Sequence, residues 1–276
     1  EDKINSYKKK AIETGIAAAQ NEWIVCTDAD CVAPESWLMT LSSFIEDTEP
    51  VFVAAPVSLT PAAPAKDGKS ILYIFQALDF LTLQGITGAS VYKRRHNMCN
   101  GANLAYKRDV FFEVEGFKGI DTIASGDDML LMHKIWKKYP DRVGYLKSQQ
   151  AIIETDAAAT WKAFFNQRIR WASKATSYED KRIFAVLLLV YLFNCSFLIL
   201  AVASFFNKVY LYGLLIFIIL KTFIELPFVL DVSRFFARQR LIKYFLFFQP
   251  LHIGYTIISG FLGSFGKYEW KGRKVR

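Results

Sequence analysis

Residues 22–30 read Glu22-Trp23-Ile24-Val25-Cys26-Thr27-Asp28-Ala29-Asp30, and the fold class turns on how this stretch is taken. An apolar run of β-type residues, 23–26, ends abruptly in two acids one residue apart. In an open α/β sheet, ligands sit at the carboxyl ends of strands. Two carboxylates at such an end form an all-oxygen site suited to a hard divalent cation, which would in turn hold a diphosphate. The competing reading is a solvated turn, because Asp commonly follows a strand.

Upstream, Ile4, Tyr7, Ala11, Ile12, Ile16 and Ala19 recur at helical spacing over residues 1–20. A helix that runs straight into a buried strand implies a preceding parallel strand from which it crosses over. The expectation is a mixed α/β sheet whose first strands lie before this sequence. Downstream, Pro34 sits at a first helical position for a helix over 35–46. Residues 51–57 read as one buried strand and 58–68 as a loop rich in Pro and Ala. Residues 70–85 read as a helix that is apolar and aromatic on most sides, hence core, and 145–153 as a last strand.

Three further stretches carry chemistry. Asn100-Gly101-Ala102-Asn103 suits a tight turn with positive φ, opening a hairpin; a Gly-backed loop with amide side chains can also line a sugar pocket. Ser125-Gly126-Asp127-Asp128 precedes an amphipathic run to about residue 138. Ser125 and Asp128 resemble a capping box, and acids favour a helix start. A carboxylate so placed is also rigidly aimed, and can remove a proton from an incoming hydroxyl as a general base. The helix expected over 160–175 carries Gln167-Arg168-Ile169-Arg170-Trp171. Either Arg168, Arg170 and Lys174 face lipid phosphates from a helix lying on a membrane surface, or arginine clamps a phosphate leaving group while Trp171 stacks on a sugar.

Composition divides the chain. Its 276 residues are 53% hydrophobic with 24 Phe, and the excess is concentrated beyond residue 183. Residues 183–206 and 209–230 are each long enough to span a bilayer, separated by Asn207 and Lys208 alone, a tight helical hairpin. Lys221 and Glu225 lie four apart and are expected to pair. Residues 241–265 form a third apolar stretch interrupted by Gln249-Pro250 and His252. The basic ends flanking these runs conflict with three full spans under the positive-inside rule: either the rule fails at this end, or the third stretch is a broken, re-entrant or interfacial segment, the reading Pro250 favours. Much of the net charge of +8 flanks the apolar runs, which anionic lipid headgroups explain better than nucleic acid, and the aromatic-basic interleaving of a nucleic-acid module does not occur. Cys26, Cys31, Cys99 and Cys195 have no zinc spacing and fit a reducing cytosolic setting. The expected domains are 1–158 catalytic, 159–182 an interface helix, 183–266 transmembrane and 267–276 a basic tail.

Taken in order, the strand-end Asp28-x-Asp30, the Asn100–Asn103 loop, the acidic pair before a helix, and Gln167-x-x-Arg170-Trp171 just before apolar spans resemble a membrane-bound family 2 glycosyltransferase of the GT-A fold. Glu269-Trp270-Lys271-Gly272-Arg273 is similar to endings in that group. The resemblance implies a Rossmann-like mixed sheet, N-terminally incomplete, followed by transmembrane helices. It implies that Asp28 and Asp30 bind Mg2+ or Mn2+ and the donor diphosphate. Asp128 would be the base, with Asp127 the alternative under a shifted register. The Asn100, Gly101, Ala102, Asn103 loop and Gln167, Arg168, Arg170 and Trp171 would serve donor and acceptor. The implied partners are a UDP-linked nucleotide-sugar donor and a lipid or polysaccharide acceptor. The expected setting is the inner cell membrane with the catalytic part cytoplasmic. The rival reading, a non-catalytic membrane-anchored scaffold, predicts no metal-dependent binding of nucleotide-sugar.

Overall fold

A computed structural model describes residues 7–63, 68–95, 98–121, 123, 126–174, 181–266, 268–270 and 273–275. They form two units, residues 1–60 with 83–156, and residues 61–82 with 157–276.

The first unit is a mixed α/β layer structure. Helix α1 (Tyr7–Ala18) leads into β1 (Trp23–Cys26), then β2 (Cys31–Val32), α2 (Trp37–Thr48), β3 (Phe52–Ala54) and β4 (Val57–Thr60). After the long helix α3 (Ile71–Tyr92) come β5 (Leu104–Lys107), α4 (Arg108–Glu113), α5 (Met129–Lys138), β6 (Val143–Tyr145) and β7 (Ile153–Asp156). One sheet has the order β1-β5-β3-β6, with β5 antiparallel to both neighbours and β6 parallel to β3. Alternation along the strands sorts side chains between two faces. Phe52, Ala54, Leu104 and Tyr106 join Ile16, Val110, Phe111, Leu131, Met132 and Ile135 in one core. Val53, Ala55 and Ala105 pack with Leu41 of α2 on the other face.

The expected strand over 51–57 is two strands in different sheets. Pro56 has no N–H to continue the ladder, and the chain leaves the first sheet there. β4 joins a second sheet of order β2-β7-β4. The expected last strand over 145–153 divides likewise into β6, a short 3-10 turn (Gln149–Ala151) and β7. The freed Pro56 carbonyl accepts from Ile153 N at 3.2 Å, so the paired chains bend together from one sheet into the other. The expected hairpin at Asn100-Gly101 is absent too: β5 pairs with β1 and β3, both far away in sequence. Gly101 is not among the positive-φ glycines, which are Gly68, Gly116, Gly119 and Gly126 among the described residues. Ser125 lies outside the described residues; the N-cap of α5 is Asp128, whose Oδ1 accepts from Met129 N at 2.7 Å.

The second unit is helical. It holds the first half of α3, then α6 (Trp161–Ala172), α7 (Lys181–Ala203), α8 (Lys208–Phe235), a 3-10 segment (Gln239–Tyr244), α9 (Phe245–Phe265) and a two-stranded ribbon, β8 (Tyr268–Trp270) with β9 (Arg273–Val275). Lys267, Lys271, Gly272 and Arg276 of the basic tail lie outside the described residues. Asn207 caps α8, its side chain accepting from Val209 N at 2.9 Å, so α7 and α8 form the expected hairpin. Among the described residues, four helices are long and apolar enough to cross a membrane: Ile71–Tyr92, Lys181–Ala203, Lys208–Phe235 and Gln239–Phe265. Most large side chains of α7 and α8, including Leu189, Ile199, Phe223 and Ile224, are exposed, as helices facing lipid would be.

Two findings revise the reading of this region. Pro250 does not break the third apolar stretch; α9 runs through it. The hydrogen bond that Pro250 cannot donate is offset by the packing of α9 on α6, α7 and α8. Lys221 does meet Glu225, at 2.7 Å, but it also donates to Gln249 Oε1 of α9 at 2.7 Å, and Gln249 Nε2 donates to Glu225 Oε2 at 3.0 Å. Gln249 of α9 thus meets α8 through both ends of its amide, which keeps its cost low in an apolar surrounding.

Candidate functional site

Sheet register brings the first pieces together. Cys26 of β1 is opposite Leu104 of β5 in an antiparallel pair, so the residues just after β1 lie beside those just before β5. Asp28 therefore emerges next to the Asn100–Asn103 turn. The acidic pair arrives from the start of α5: Gly101 N donates to Asp128 Oδ2 at 3.1 Å. Asp128 thus has one oxygen on the first amide of its own helix and the other on the loop preceding β5.

A residue not singled out from the sequence joins these elements. Lys8 of α1 places Nζ 2.9 Å from Asp28 Oδ1 and 3.1 Å from Asp127 Oδ2. A Cβ built on Gly101 would stand 3.5 Å from Asp128 Oδ2 and 3.6 Å from Lys8 Nζ. One small volume therefore holds Lys8, Asp28, Asp127, Asp128 and the Gly101 backbone. Burial by itself would lower the pKa of Lys8, but the charges of Asp127 and Asp28, with their hydrogen bonds, outweigh it and hold the ammonium above its usual range. The next residue, Lys9, is buried and donates to the carbonyls of Ile120 and Ile123, which ties α1 to the segment that delivers the acids. The available signal was Lys8-Lys9-Lys10 on a helix preceding an acid-ended strand, where helical periodicity draws attention to the apolar positions instead.

The floor of this volume is uncharged. Cys26 Sγ lies 3.4 Å from the Tyr106 hydroxyl. Burial pushes both the Cys26 thiol and the Tyr106 phenol above their ordinary pKa values. A protonated, buried thiol is a poor nucleophile.

The donor set can be tested against a divalent cation. Asp28 and Asp127, on different elements, converge on one cation, the Lys8 ammonium, with side-chain exposures of 42% and 14%. Asp30 is exposed beside β2 and takes no part in that bridge. Among the described residues no group of three or more His, Cys, Asp or Glu is clustered to hold a metal alone. Mg2+ sites of one or two carboxylates completed by substrate phosphates and water need no such cluster, so the residues fit a cation that arrives with a phosphate ligand.

The remaining candidates divide by burial. Asn100 Oδ1 accepts from Ala102 N at 3.0 Å and shapes the turn. Ala102 is buried. Asn103 is 1% exposed; its Nδ2 donates to Pro56 O and Ala151 O, both at 2.8 Å, and its Oδ1 accepts from Trp37 Nε1 at 3.1 Å. With both amide hydrogens engaged, Asn103 braces the bend at Pro56. Gln167, Arg168, Arg170 and Trp171 lie on α6 of the second unit. Arg168 is 4% exposed and bound to Asp79, so it does not face lipid phosphates or substrate. Gln167, Arg170 and Trp171 are half-buried.

A family model described as glycosyl transferase family group 2 matches residues 23–261, and the chain belongs to this family. No curated protein matches it. Family membership supports glycosyl transfer as the activity. The match runs from β1 into α9 and so includes the Asp28 strand, the acidic pair and α6; Lys8 lies before it.

Proposed function

We propose that this chain is a membrane-anchored, inverting glycosyltransferase of GT-A type that moves a sugar from a UDP-linked donor to a lipid or growing polysaccharide acceptor. Its catalytic unit would work at the cytoplasmic face of the cell membrane. The observation that carries this reading is the Lys8 ammonium shared by Asp28 and Asp127, with Asp128 held on the Gly101 amide beside it.

In this reading Asp28 and Asp127 would hold Mg2+ or Mn2+, with the exposed Asp30 as the further carboxylate at the end of the same strand. Once bound, that ion supplies Lewis-acid neutralisation of the departing diphosphate. Lys8 occupies the cation position in the absence of donor and adds positive charge beside the diphosphate when donor is bound. Asp128 takes the proton from the acceptor hydroxyl, which attacks the anomeric carbon on the face opposite the leaving group and inverts it. The two amide hydrogen bonds to Asp128 aim its carboxylate, the positioning a general base requires. Asn100 and Gly101 shape the wall of the sugar site. By the family resemblance Gln167, Arg170 and Trp171 serve the diphosphate and acceptor end.

The test is release of UDP and transfer of labelled sugar from a panel of UDP-sugars by the full chain in membranes, with Mn2+ and with EDTA. Mn2+-dependent turnover that is lost in Asp128→Asn is the expected result. No turnover of any UDP-sugar, and no Mn2+-dependent nucleotide-sugar binding, leaves the scaffold reading in its place.

A further inference from the structure

Helix α3 is apolar around most of its circumference in its first half, with Gln76 and one charged residue as exceptions. Asp79, with a side chain 3% exposed, accepts from Arg168 Nη2 of α6 at 2.6 Å. Its other oxygen accepts from the Tyr255 hydroxyl of α9. Tyr255 in turn packs edge-on against Phe75 and Phe164. One carboxylate therefore binds three helices of the second unit. Replacing a buried ion pair by apolar side chains of the same volume is often neutral or stabilising, because the pair returns little net stability for the cost of removing two charges from water. What an ion pair adds is orientation.

That orientation is passed to the Gln167–Trp171 motif. The Arg168 guanidinium lies 4.3 Å from the centre of the Trp171 ring and 4.9 Å from that of Phe164. Its Nη1 donates to Gln167 Oε1 at 3.3 Å. Phe80, the neighbour of Asp79, places its ring 6.3 Å from Trp171. The planar fork of arginine can bind Asp79 through one nitrogen, Gln167 through another, and stack on an indole at once; a lysine ammonium cannot.

We propose that Asp79 and Arg168 are positioning residues for this motif. They touch no substrate, and they fix the Trp171 ring and the Gln167 amide in the attitude the transfer reaction uses. The functional half of this claim rests on the glycosyltransferase reading above; the geometric half does not.

The experiment takes three variants of the full chain in membranes or detergent: Arg168→Lys, Asp79→Asn, and the apolar pair Asp79→Leu with Arg168→Met. The Trp171 environment is read as the fluorescence difference between each protein and its Trp171→Phe counterpart, with acrylamide quenching. Transfer and donor hydrolysis are read side by side with the UDP-sugar panel, and thermal unfolding checks folding. Arg168→Lys is expected to fold, to expose Trp171 to quencher, and to lower transfer relative to hydrolysis by about 10- to 100-fold, the scale of a misplaced catalytic contact. The apolar pair is expected to unfold no earlier than the parent and still to lose transfer. An apolar pair with parental transfer and parental Trp171 quenching overturns the proposal, since the ion pair would then serve stability alone. Should the parent chain turn over no UDP-sugar, the glycosyltransferase reading fails, and unchanged Trp171 quenching in Arg168→Lys and Asp79→Asn still overturns the geometric claim by itself.

Discussion

The Lys8 ammonium stands 3.1 Å from Asp127 Oδ2 while also holding Asp28 at 2.9 Å, so two carboxylates separated by 99 residues of chain share one positive charge. Remove that charge and the acids face each other uncompensated. Lys8→Met is therefore expected to lower the melting temperature in EDTA, with Mn2+ restoring most of the loss. A Lys8→Met protein that melts identically with and without Mn2+ would show that no cation replaces the ammonium.

The same pair fixes a pH dependence. The pKa of Lys8 is raised above its usual value of 10.5, so its contribution to stability is fully present below that value and is lost only as pH rises through the still higher folded-state value. The melting-temperature gap between the parent and Lys8→Met should stay constant from about pH 6 to 9. A gap that closes within that window would mean the ammonium is not held as the geometry requires.

Asp128 and Asp127 should separate by function. Asp128→Asn is expected to reduce transfer by about 100- to 10,000-fold, the usual cost of removing a positioned base, with UDP-sugar binding retained. Asp127→Asn should weaken Mn2+-dependent donor binding first. The reverse pattern, measured by titration calorimetry beside initial rates, would assign the base to Asp127.

Asn103 should behave as a structural residue. Asn103→Ala strands the Ala151 carbonyl, which accepts at 2.8 Å, and the indole N–H of Trp37, and leaves Pro56 O with Ile153 N as its donor. At about 1–3 kcal/mol for a buried unsatisfied group, the variant should unfold well before the parent in urea. Trp37→Phe removes only the bond at 3.1 Å and should cost about 1 kcal/mol. Equal, small losses in both would return Asn103 to the surface of the site.

Cys26 should resist alkylation. Burial raises its thiol pKa, which reduces the thiolate fraction at pH 8. Iodoacetamide is expected to label the less buried Cys31 first, as followed by peptide mass spectrometry, although the Cys31 thiol is raised as well.

Local sequence carried the elements and the acids. The run 23–26 closing on Asp28 reads as a strand with carboxylate oxygens after its end, because apolar periodicity and an abrupt polar stop are properties of neighbours in the chain. The apolar runs beyond residue 183 are legible for the same reason: span length and the absence of charge need no partner to be recognised. The pairing of Lys221 with Glu225 follows from helical spacing alone.

Tertiary structure decided what those residues hold. Lys8 is one of three consecutive lysines, and only the fold sets it between two acids; Asp79 is an acid within an apolar run, and only the fold places Arg168 and Tyr255 against it. Asn103 and Arg168 carry polar side chains that the fold buries and binds to protein partners. The physical reason is common to all four. A polar side chain acts through whatever atoms satisfy it, and when those atoms lie tens of residues away no local pattern can name them. The bend at Pro56 shows the same limit in the backbone: a missing N–H marks where one ladder stops, while the register of β7 and the amide of Asn103 determine where the next begins.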